Sequence, residues 1–187
     1  MTYYSQIMGT GSAFPEHVMT NADFEKFVDT SDEWIRNRTG IATRRIADPK
    51  KGETTLSMAG KASQNAIEMA GIDASAIDLI IVGTITPDTV MPTTGNCLQR
   101  DLGAKHAFSF DLQAACSGFL YALSIADQYI RNGSVETALI IGVETLSTLV
   151  NWTDRTTCVL FGDGAGAAVL QRSRTSEHAV LGVRTYS

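Results

Sequence analysis

Apolar residues along the chain fall into two patterns, continuous runs and runs with helical spacing. Continuous runs at 76–86 (AIDLIIVGTIT) and 137–145 (TALIIGVET) are typical of strands buried on both faces. Apolar residues at 55–70 recur every three or four positions until Gly71, which predicts a helix that ends there. The remaining pattern predicts helices at 93–103 and 117–133, and strands or strand-like stretches at 4–14, 106–112, 158–171 and 178–185.

Two short helices are predicted before the first continuous apolar run. The segment TNADFEKFVDTS, at 20–31, has Asn21 as its expected N-cap. The segment SDEWIRNRTG begins at Ser31 as N-cap, has acids in its first turn and arginines in its last, and stops at Gly40. Strands separated by helices along the whole chain predict one α/β domain with a largely parallel sheet covered by helices.

Composition and charge narrow the class of protein. The chain has 187 residues, of which 44% are hydrophobic and 19% are charged, as expected of one soluble globular domain. Its net charge of −5 argues against nucleic-acid binding, because phosphates require an excess of Lys and Arg. No apolar run approaches the ~20 residues of a membrane span. The N-terminus lacks the features of a signal peptide, so a cytoplasmic location is expected.

Three glycine-rich stretches invite a nucleotide-binding interpretation, which their details disfavour. GTGSAF, at 9–14, lacks a third glycine and runs into a proline, and FGDGAGAAVL, at 161–170, lacks the G-K-[ST] of a phosphate loop. IIGVET, at 140–145, is interpreted as a strand end. These glycines are instead predicted to allow tight turns and close backbone approach.

Three cysteines are far apart and never in C-x-x-C spacing: Cys97, Cys116 and Cys158. This spacing predicts free thiols and disfavours both a disulfide framework and a metal site. Cys116 stands out, because a strand is expected to end near Leu112 and a helix to begin around Ser117. A thiol there would face unpaired backbone N–H groups, which favour the nucleophilic thiolate. Position alone therefore leaves two interpretations of Cys116, a structural cysteine and a nucleophile.

Three long segments carry a family resemblance: 9–41 (GTGSAFPEHVMTNADFEKFVDTSDEWIRNRTGI), 111–130 (DLQAACSGFLYALSIADQYI) and 154–170 (DRTTCVLFGDGAGAAVL). They closely resemble β-ketoacyl-acyl-carrier-protein synthase III, the condensing enzyme that initiates bacterial fatty-acid synthesis. The resemblance implies a thiolase-like α/β fold, a mixed and mostly parallel sheet covered by helices, with this chain as one of two similar halves. It also implies that Cys116 is the acylated nucleophile, while Cys97 and Cys158 are structural.

The resemblance further implies a coenzyme A site. Trp34 and Arg38 match the family residues that contact the cofactor, Arg155 matches the arginine that stacks on adenine opposite the tryptophan, and Thr30 matches a further contact. An indole and a guanidinium suit such a stack. Coenzyme A would enter as a thioester substrate, and no permanently bound cofactor or metal is implied. The alternative is that Trp34 anchors the core and the arginines form a solvated face.

Two further features concern partners. The loop TPDTVMP, at 86–92, matches a family loop that reaches across a homodimer interface into the partner's acyl pocket. Met91 stands where many members have phenylalanine, so chains other than acetyl are expected to fit. Arg36, Arg44 and Arg45 form a local basic cluster that could meet coenzyme A phosphates or an acidic carrier protein, or could be a solvated face.

The family's catalytic histidine and asparagine have no counterparts in the chain. In the family they lie in motifs resembling PHQAN and GNTSAAS, whereas His17, His106 and His178 have no matching context. We therefore expect residues 1–187 to be the N-terminal domain of an acyltransferase that condenses acyl-CoA with malonyl-acyl-carrier protein and releases carbon dioxide. Alone, the chain is expected to be inactive in condensation. The alternative is a non-catalytic half-enzyme that only binds a partner or dimerises.

Overall fold

The computed structural model describes residues 3–185. They form a five-stranded mixed β-sheet covered by helices and a separate two-stranded ribbon. The strands are β1 (Tyr4–Ala13), β2 (Val18–Thr20), β3 (Thr43–Arg45), β4 (Leu79–Gly83), β5 (Phe108–Leu112), β6 (Thr137–Thr145) and β7 (Asp163–Ser173). The α-helices are α1 (Asn21–Phe24), α2 (Asp32–Thr39), α3 (Thr55–Ala70), α4 (Thr94–Leu102) and α5 (Gly118–Arg131). No helix within these residues has both the length and the apolar character needed to cross a membrane.

The main sheet has five strands in the order β1-β7-β6-β4-β5. Strand β4 runs parallel to β5 and β6, and β7 is antiparallel to both of its neighbours, β6 and β1. Four of the five strands therefore point the same way, and β5 forms one edge. This confirms the predicted fold class of a mixed, mostly parallel sheet covered by helices.

Helices cover both faces of the sheet, as the continuous apolar runs predict. Ile80 and Val82 of β4 face a core cluster with α3 and α4, whereas Leu79 and Ile81 face a second cluster with α5. All four side chains are fully buried. Burial of each such side chain contributes roughly 1.5–3 kcal/mol, so the two clusters stabilise the sheet that carries the later loops.

The first glycine-rich stretch lies within β1, which confirms the strand predicted at 4–14, but its glycines form no tight turn there. Gly9 and Gly11 lie in β1, where a Cβ on either residue would collide with backbone atoms of α3, including the carbonyl oxygens of Ala66 and Ala62. The prediction of close backbone approach is therefore confirmed. These glycines let α3 pack directly on β1.

Several local predictions were wrong. The helix predicted at 20–31 is only four residues long, and its N-cap is Thr20, whose backbone N–H and hydroxyl both donate to the Asp23 carboxylate. The predicted N-cap, Asn21, is instead buried and donates from its amide to Asp32 and to the Ile41 carbonyl. Long-range bonds to this side chain therefore replace the local capping bond.

The strand predicted at 178–185 does not form. This segment makes one isolated bridge, between Ala179 and Gln6, and Val180 N–H donates to the Ser5 carbonyl at 2.8 Å. His178 adopts a positive φ of 57°, which interrupts an extended path. Conversely, the β2–β3 ribbon was not predicted, because three residues are too few to show an alternating pattern.

Candidate active site

Cys116 lies in a single 3₁₀ turn, Ala115–Ser117, which joins the end of β5 to the start of α5. The predicted position of this cysteine between a strand and a helix is confirmed, and its side chain is exposed. Ala115 has a φ of 44°, a left-handed conformation that costs energy for a residue with a Cβ. The cysteine therefore sits on a strained turn that the surrounding structure must hold.

The start of α5 is held against the end of β4 by two glycines. A Cβ on Gly83 would lie 2.8 Å from the carbonyl carbon of Gly118, so only glycine allows this approach. The turn with Cys116 is thereby placed at the carboxyl ends of the parallel strands, where α/β sheets commonly bind ligands.

A cavity of about 220 Å³ opens beside Cys116. Four of the lining residues are glycines: three lie in β4, β6 and β7, and Gly162 directly precedes β7. The described residues that line it are Gly83, Ala115, Cys116, Phe119, Gly142, Val143, Glu144, Gly162 and Gly164. Neither histidine nor asparagine occurs among these lining residues. The cavity offers room for a small group on the sulfur.

Three of the residues assigned to coenzyme A lie together. The guanidinium carbon of Arg38 is 4.3 Å from the centre of the Trp34 ring, and that of Arg155 is 5.3 Å from it. Arg155 also donates to the backbone carbonyl of Asp29 at 2.6 Å. The neighbouring Thr30 is half-buried, and its hydroxyl oxygen has no hydrogen-bond partner among residues 3–185. Trp34 is half-buried against the cluster of Phe24, Ile35, Cys158 and Val159.

The helix that carries Trp34 and Arg38 begins and ends as predicted. Ser31 is the N-cap of α2 and accepts a hydrogen bond from Trp34 N–H at 3.1 Å, and Gly40 ends the helix with a φ of 72°. Asp32 accepts from the Asn21 amide and from Arg36, and these bonds lower the pKa of its carboxyl. The helix is thus tied to the short α1 segment.

The three arginines of the basic cluster do not share one surface, because Arg36 and Arg45 are exposed and Arg44 is buried. Arg36 pairs with Asp32 at 2.7 Å, and Arg45 donates to the Pro15 carbonyl at 3.0 Å. Arg44 is buried beneath Phe24 and donates to Asn21 and to the Val159 carbonyl. The interpretation that this cluster binds phosphates was therefore wrong for Arg44, because its guanidinium already donates to acceptors inside the protein.

Met91 lies apart from the cavity of its own chain. It is 80% exposed in the loop between β4 and α4, beside Val90, which is 87% exposed. Neither side chain is among the residues that line the cavity beside Cys116. Any role in acyl selection would therefore require a second subunit or movement of the loop.

The other two cysteines differ from Cys116. Cys158 is fully buried, and burial together with the nearby Asp154 carboxylate raises the pKa of its thiol, against an opposing effect of Arg44. Cys97 is half-buried on α4. No group of three His, Cys, Asp or Glu within the part of the chain described could hold a metal ion.

Glu144 was missed from the sequence, where IIGVET was interpreted only as a strand end. In the structure this residue lines the cavity of Cys116, and its carboxylate accepts hydrogen bonds from the residues that follow β4. A lone acid at the end of a continuous apolar strand was the available signal, because such a charge needs donors nearby.

Solved structures share this fold. The chain superposes with a TM-score of 0.89 on 3-oxoacyl-[acyl-carrier-protein] synthase III from Aquifex aeolicus VF5, with 50% identity over 92% of this chain and 55% of that one. The TM-score is also 0.89 for the priming β-ketosynthase of the R1128 polyketide pathway, at 40% identity over 93% of this chain and 52% of that one. The fold is therefore thiolase-like, the fold of condensing enzymes.

Sequence comparisons name the family. The model for 3-oxoacyl-[acyl-carrier-protein (ACP)] synthase III matches residues 110–187. A β-ketoacyl-[acyl-carrier-protein] synthase III of Paramagnetospirillum magneticum is 52% identical over the whole of this chain and 58% of its own length. One from Xanthomonas campestris pv. campestris is 57% identical over 90% of this chain and 51% of its own length. The resemblance is thus confirmed: the chain matches the β-ketoacyl-acyl-carrier-protein synthase III family and spans about half the length of its curated relatives.

Proposed function

We propose that this chain is the N-terminal, acyl-accepting domain of a β-ketoacyl-acyl-carrier-protein synthase III. Cys116 receives an acyl group from acyl-CoA, with acetyl-CoA as the first candidate. The observation that carries the proposal is the exposed thiol of Cys116, on a strained turn before α5 and beside a cavity of about 220 Å³. The two solved enzymes and the curated relatives support the reaction class.

The proposed transfer is a thioester exchange. The sulfur of Cys116 attacks the carbonyl carbon, the bond from that carbon to the coenzyme A sulfur breaks, and free coenzyme A leaves with the thiol proton. The N–H of Gly118 donates to the Ala115 carbonyl, whereas the next backbone N–H groups of α5 have no partners within the helix and can stabilise the developing oxyanion.

Coenzyme A is proposed to bind at Trp34, Arg38 and Arg155. A flat adenine between Trp34 and Arg155 requires two contact layers of about 3.5 Å each, or about 7 Å in total. The present separation of 5.3 Å is smaller, so Arg155 must move outward and loosen its bonds to Asp29. Its exposed side chain can do so, and Arg38, which is also exposed, would turn from the Trp34 ring to bind a phosphate.

Condensation is proposed to need a second domain. Malonyl-acyl-carrier protein would lose carbon dioxide, and the resulting enolate would attack the thioester carbonyl of acylated Cys116 and release its sulfur. The family's histidine and asparagine would stabilise that enolate from the second domain. We also propose a homodimer through β5, because an uncovered strand edge invites pairing and β5 lies at the edge of the sheet.

A non-catalytic half-enzyme is the second candidate. It is favoured by one observation, the absence of histidine and asparagine among the described residues that line the Cys116 cavity. Such a protein would bind coenzyme A or dimerise but would not take up an acyl group.

Intact mass spectrometry of the chain after incubation with acetyl-CoA separates the two candidates. We expect one added acetyl group, mapped to Cys116, and release of an equal amount of free coenzyme A. The Cys116→Ser variant should remain unmodified, whereas the matched Cys97→Ser variant should be acetylated normally. Binding of coenzyme A without any adduct would support the non-catalytic module and contradict the proposed transfer.

A further inference from the structure

The carboxylate of Glu144 lies at the end of β6, between the Cys116 cavity and the chain that follows β4. It accepts from Ile85 N–H at 3.0 Å, from the Thr86 hydroxyl at 2.5 Å and from the Thr84 hydroxyl at 3.4 Å. The same residue lines the cavity beside Cys116. One residue therefore contacts both the proposed acyl cavity and the beginning of the loop that carries Met91.

Residues 84–88, which we name the loop root, are held from two further directions. The Thr86 hydroxyl accepts from Thr145 N–H at 2.8 Å, and its carbonyl accepts from the Thr55 hydroxyl at 2.6 Å. Asp88 accepts from the backbone N–H groups of Thr55 at 3.1 Å and Leu56 at 2.8 Å, at the start of α3. An acid at a helix start is electrostatically favourable.

The tip of the loop, in contrast, projects from the molecule. Val90 and Met91 are 87% and 80% exposed, and the internal bond nearest to them runs from the Thr89 hydroxyl to the Pro92 carbonyl at 2.8 Å. The loop is therefore anchored at its root and exposed at its tip.

We propose that Glu144 is a positioning residue that limits the length of the acyl chain carried by Cys116. It does so by forming part of one wall of the cavity, in a position that its hydrogen bonds with the loop root maintain. This inference rests on the proposed function, since it concerns the specificity of the same site. It assigns the selection of chain length to a residue that is itself not expected to react.

The chemistry at Glu144 requires a carboxylate. All three groups that meet it are donors, and an ionised carboxylate is purely an acceptor with room for all of them. Hydrogen bonds to a charged acceptor are shorter and stronger than neutral ones. A glutamine could still accept from Ile85, but it would turn an amide NH₂ toward a threonine hydroxyl, so Glu144→Gln should weaken the root less than Glu144→Ala.

Hydrogen–deuterium exchange of the full chain tests the contact with the loop. In Glu144→Ala the peptide that contains Ile85 should exchange at least about tenfold faster, as expected when a hydrogen bond to a charged group is lost. Thr86→Val should loosen the same peptide without changing a residue that lines the cavity. The matched control is Glu68→Gln, an exposed acid on α3 that should leave the exchange unchanged.

Thiol reagents with different chains test the effect on Cys116. Methyl, butyl and octyl methanethiosulfonate each transfer an S-alkyl group to a thiol and release methanesulfinate, so they need no coenzyme A site. Peptide mapping at Cys116 should show a several-fold higher ratio of octyl to methyl labelling in Glu144→Ala. Thr86→Val should give a smaller rise, and Glu68→Gln should match the unaltered chain.

The outcomes separate the two proposals. An unchanged octyl-to-methyl ratio in Glu144→Ala would overturn the inference, as would unchanged exchange at Ile85. A ratio that rises in Glu144→Ala but not in a loosened Thr86→Val would overturn the part played by the loop root in holding Glu144. If Glu144→Ala does not fold, Glu144→Gln and Thr86→Val carry the same test. Failure of acetyl-CoA to modify Cys116 would contradict the proposed function, while the reagent ratios would still decide this inference.

Discussion

Arg36 and Arg38 lie on the same short helix but make different contacts, which allows a matched test of the coenzyme A site. Arg38 lies over the Trp34 ring, whereas Arg36 pairs with Asp32. We expect Arg38→Ala to weaken coenzyme A binding about tenfold or more, as when a hydrogen bond to a charged group is lost. Arg36→Ala should change it little, because exposed ion pairs contribute little. Calorimetric titration would measure both, and equal losses would contradict the assignment.

The three cysteines should react with iodoacetamide at different rates. Burial raises the pKa of Cys158, so at a given pH a smaller fraction of it is thiolate, whereas Cys116 is exposed. At pH 8 we expect iodoacetamide to label Cys116 severalfold faster than Cys158, because burial both lowers the thiolate fraction of Cys158 and keeps the reagent away from it. Cys97, half-buried, should also react more slowly than Cys116. Peptide mapping over time measures the rates, and equal labelling of the three thiols in the folded chain would contradict this prediction.

At the residue scale, local context decided what the sequence could predict. Cys116 and Ser31 were placed correctly, because a strand–helix junction and a helix start are readable from neighbouring residues. Arg44 and Glu144 were not, because their partners lie far away in the chain, at Val159 and at Ile85. The nature of a buried contact between distant segments cannot be obtained from local patterns.

At the element scale, the contact of β4 with α5 offers a test of how the nucleophile is positioned. Gly83→Ala would place a Cβ 2.8 Å from the backbone of Gly118, so the start of α5 must shift. We expect a loss of about 1–3 kcal/mol in the free energy of unfolding, as for other overpacked sites, and slower labelling of Cys116.

The matched control for that substitution is Gly166→Ala in β7. A Cβ at Gly166 would meet no atom within 4 Å, so unfolding in urea should change little. Similar unfolding midpoints for the two variants would show that the close approach of β4 and α5 is not required.

The elements that were predicted best have a complete pattern of apolar residues and a residue that clearly ends the element. Helix α3 ends at Gly71 with a φ of 66°, and β6 spans the predicted residues 137–145. The strands β2 and β3 are too short to show an alternating pattern. Residues 178–185 have the composition of a strand but make one isolated β-bridge. In that last segment a positive φ at His178 prevailed over β-propensity.

At the scale of the whole molecule, the order of strands and helices predicted a largely parallel sheet covered by helices, but not which strands pair or that β7 runs antiparallel. The antiparallel placement of β7 between β6 and β1 brings Gly164 to the cavity of Cys116, and this depends on the complete sheet. The family motifs, in contrast, predicted the thiolase-like fold that the solved structures confirm. The sites that they imply for coenzyme A and for the dimer remain predictions.

The central claim is that this chain performs acyl transfer but needs a second domain for condensation. The most direct measurement incubates the chain with acetyl-CoA and malonyl-acyl-carrier protein, and follows acetylated Cys116 and the 3-ketoacyl product in the same sample. We expect the adduct without product, because losing even one oxyanion donor typically lowers rates by about 10²–10³. Addition of a separately expressed C-terminal half should restore product. Rapid product formation by the chain alone, or no adduct at Cys116, would contradict the account.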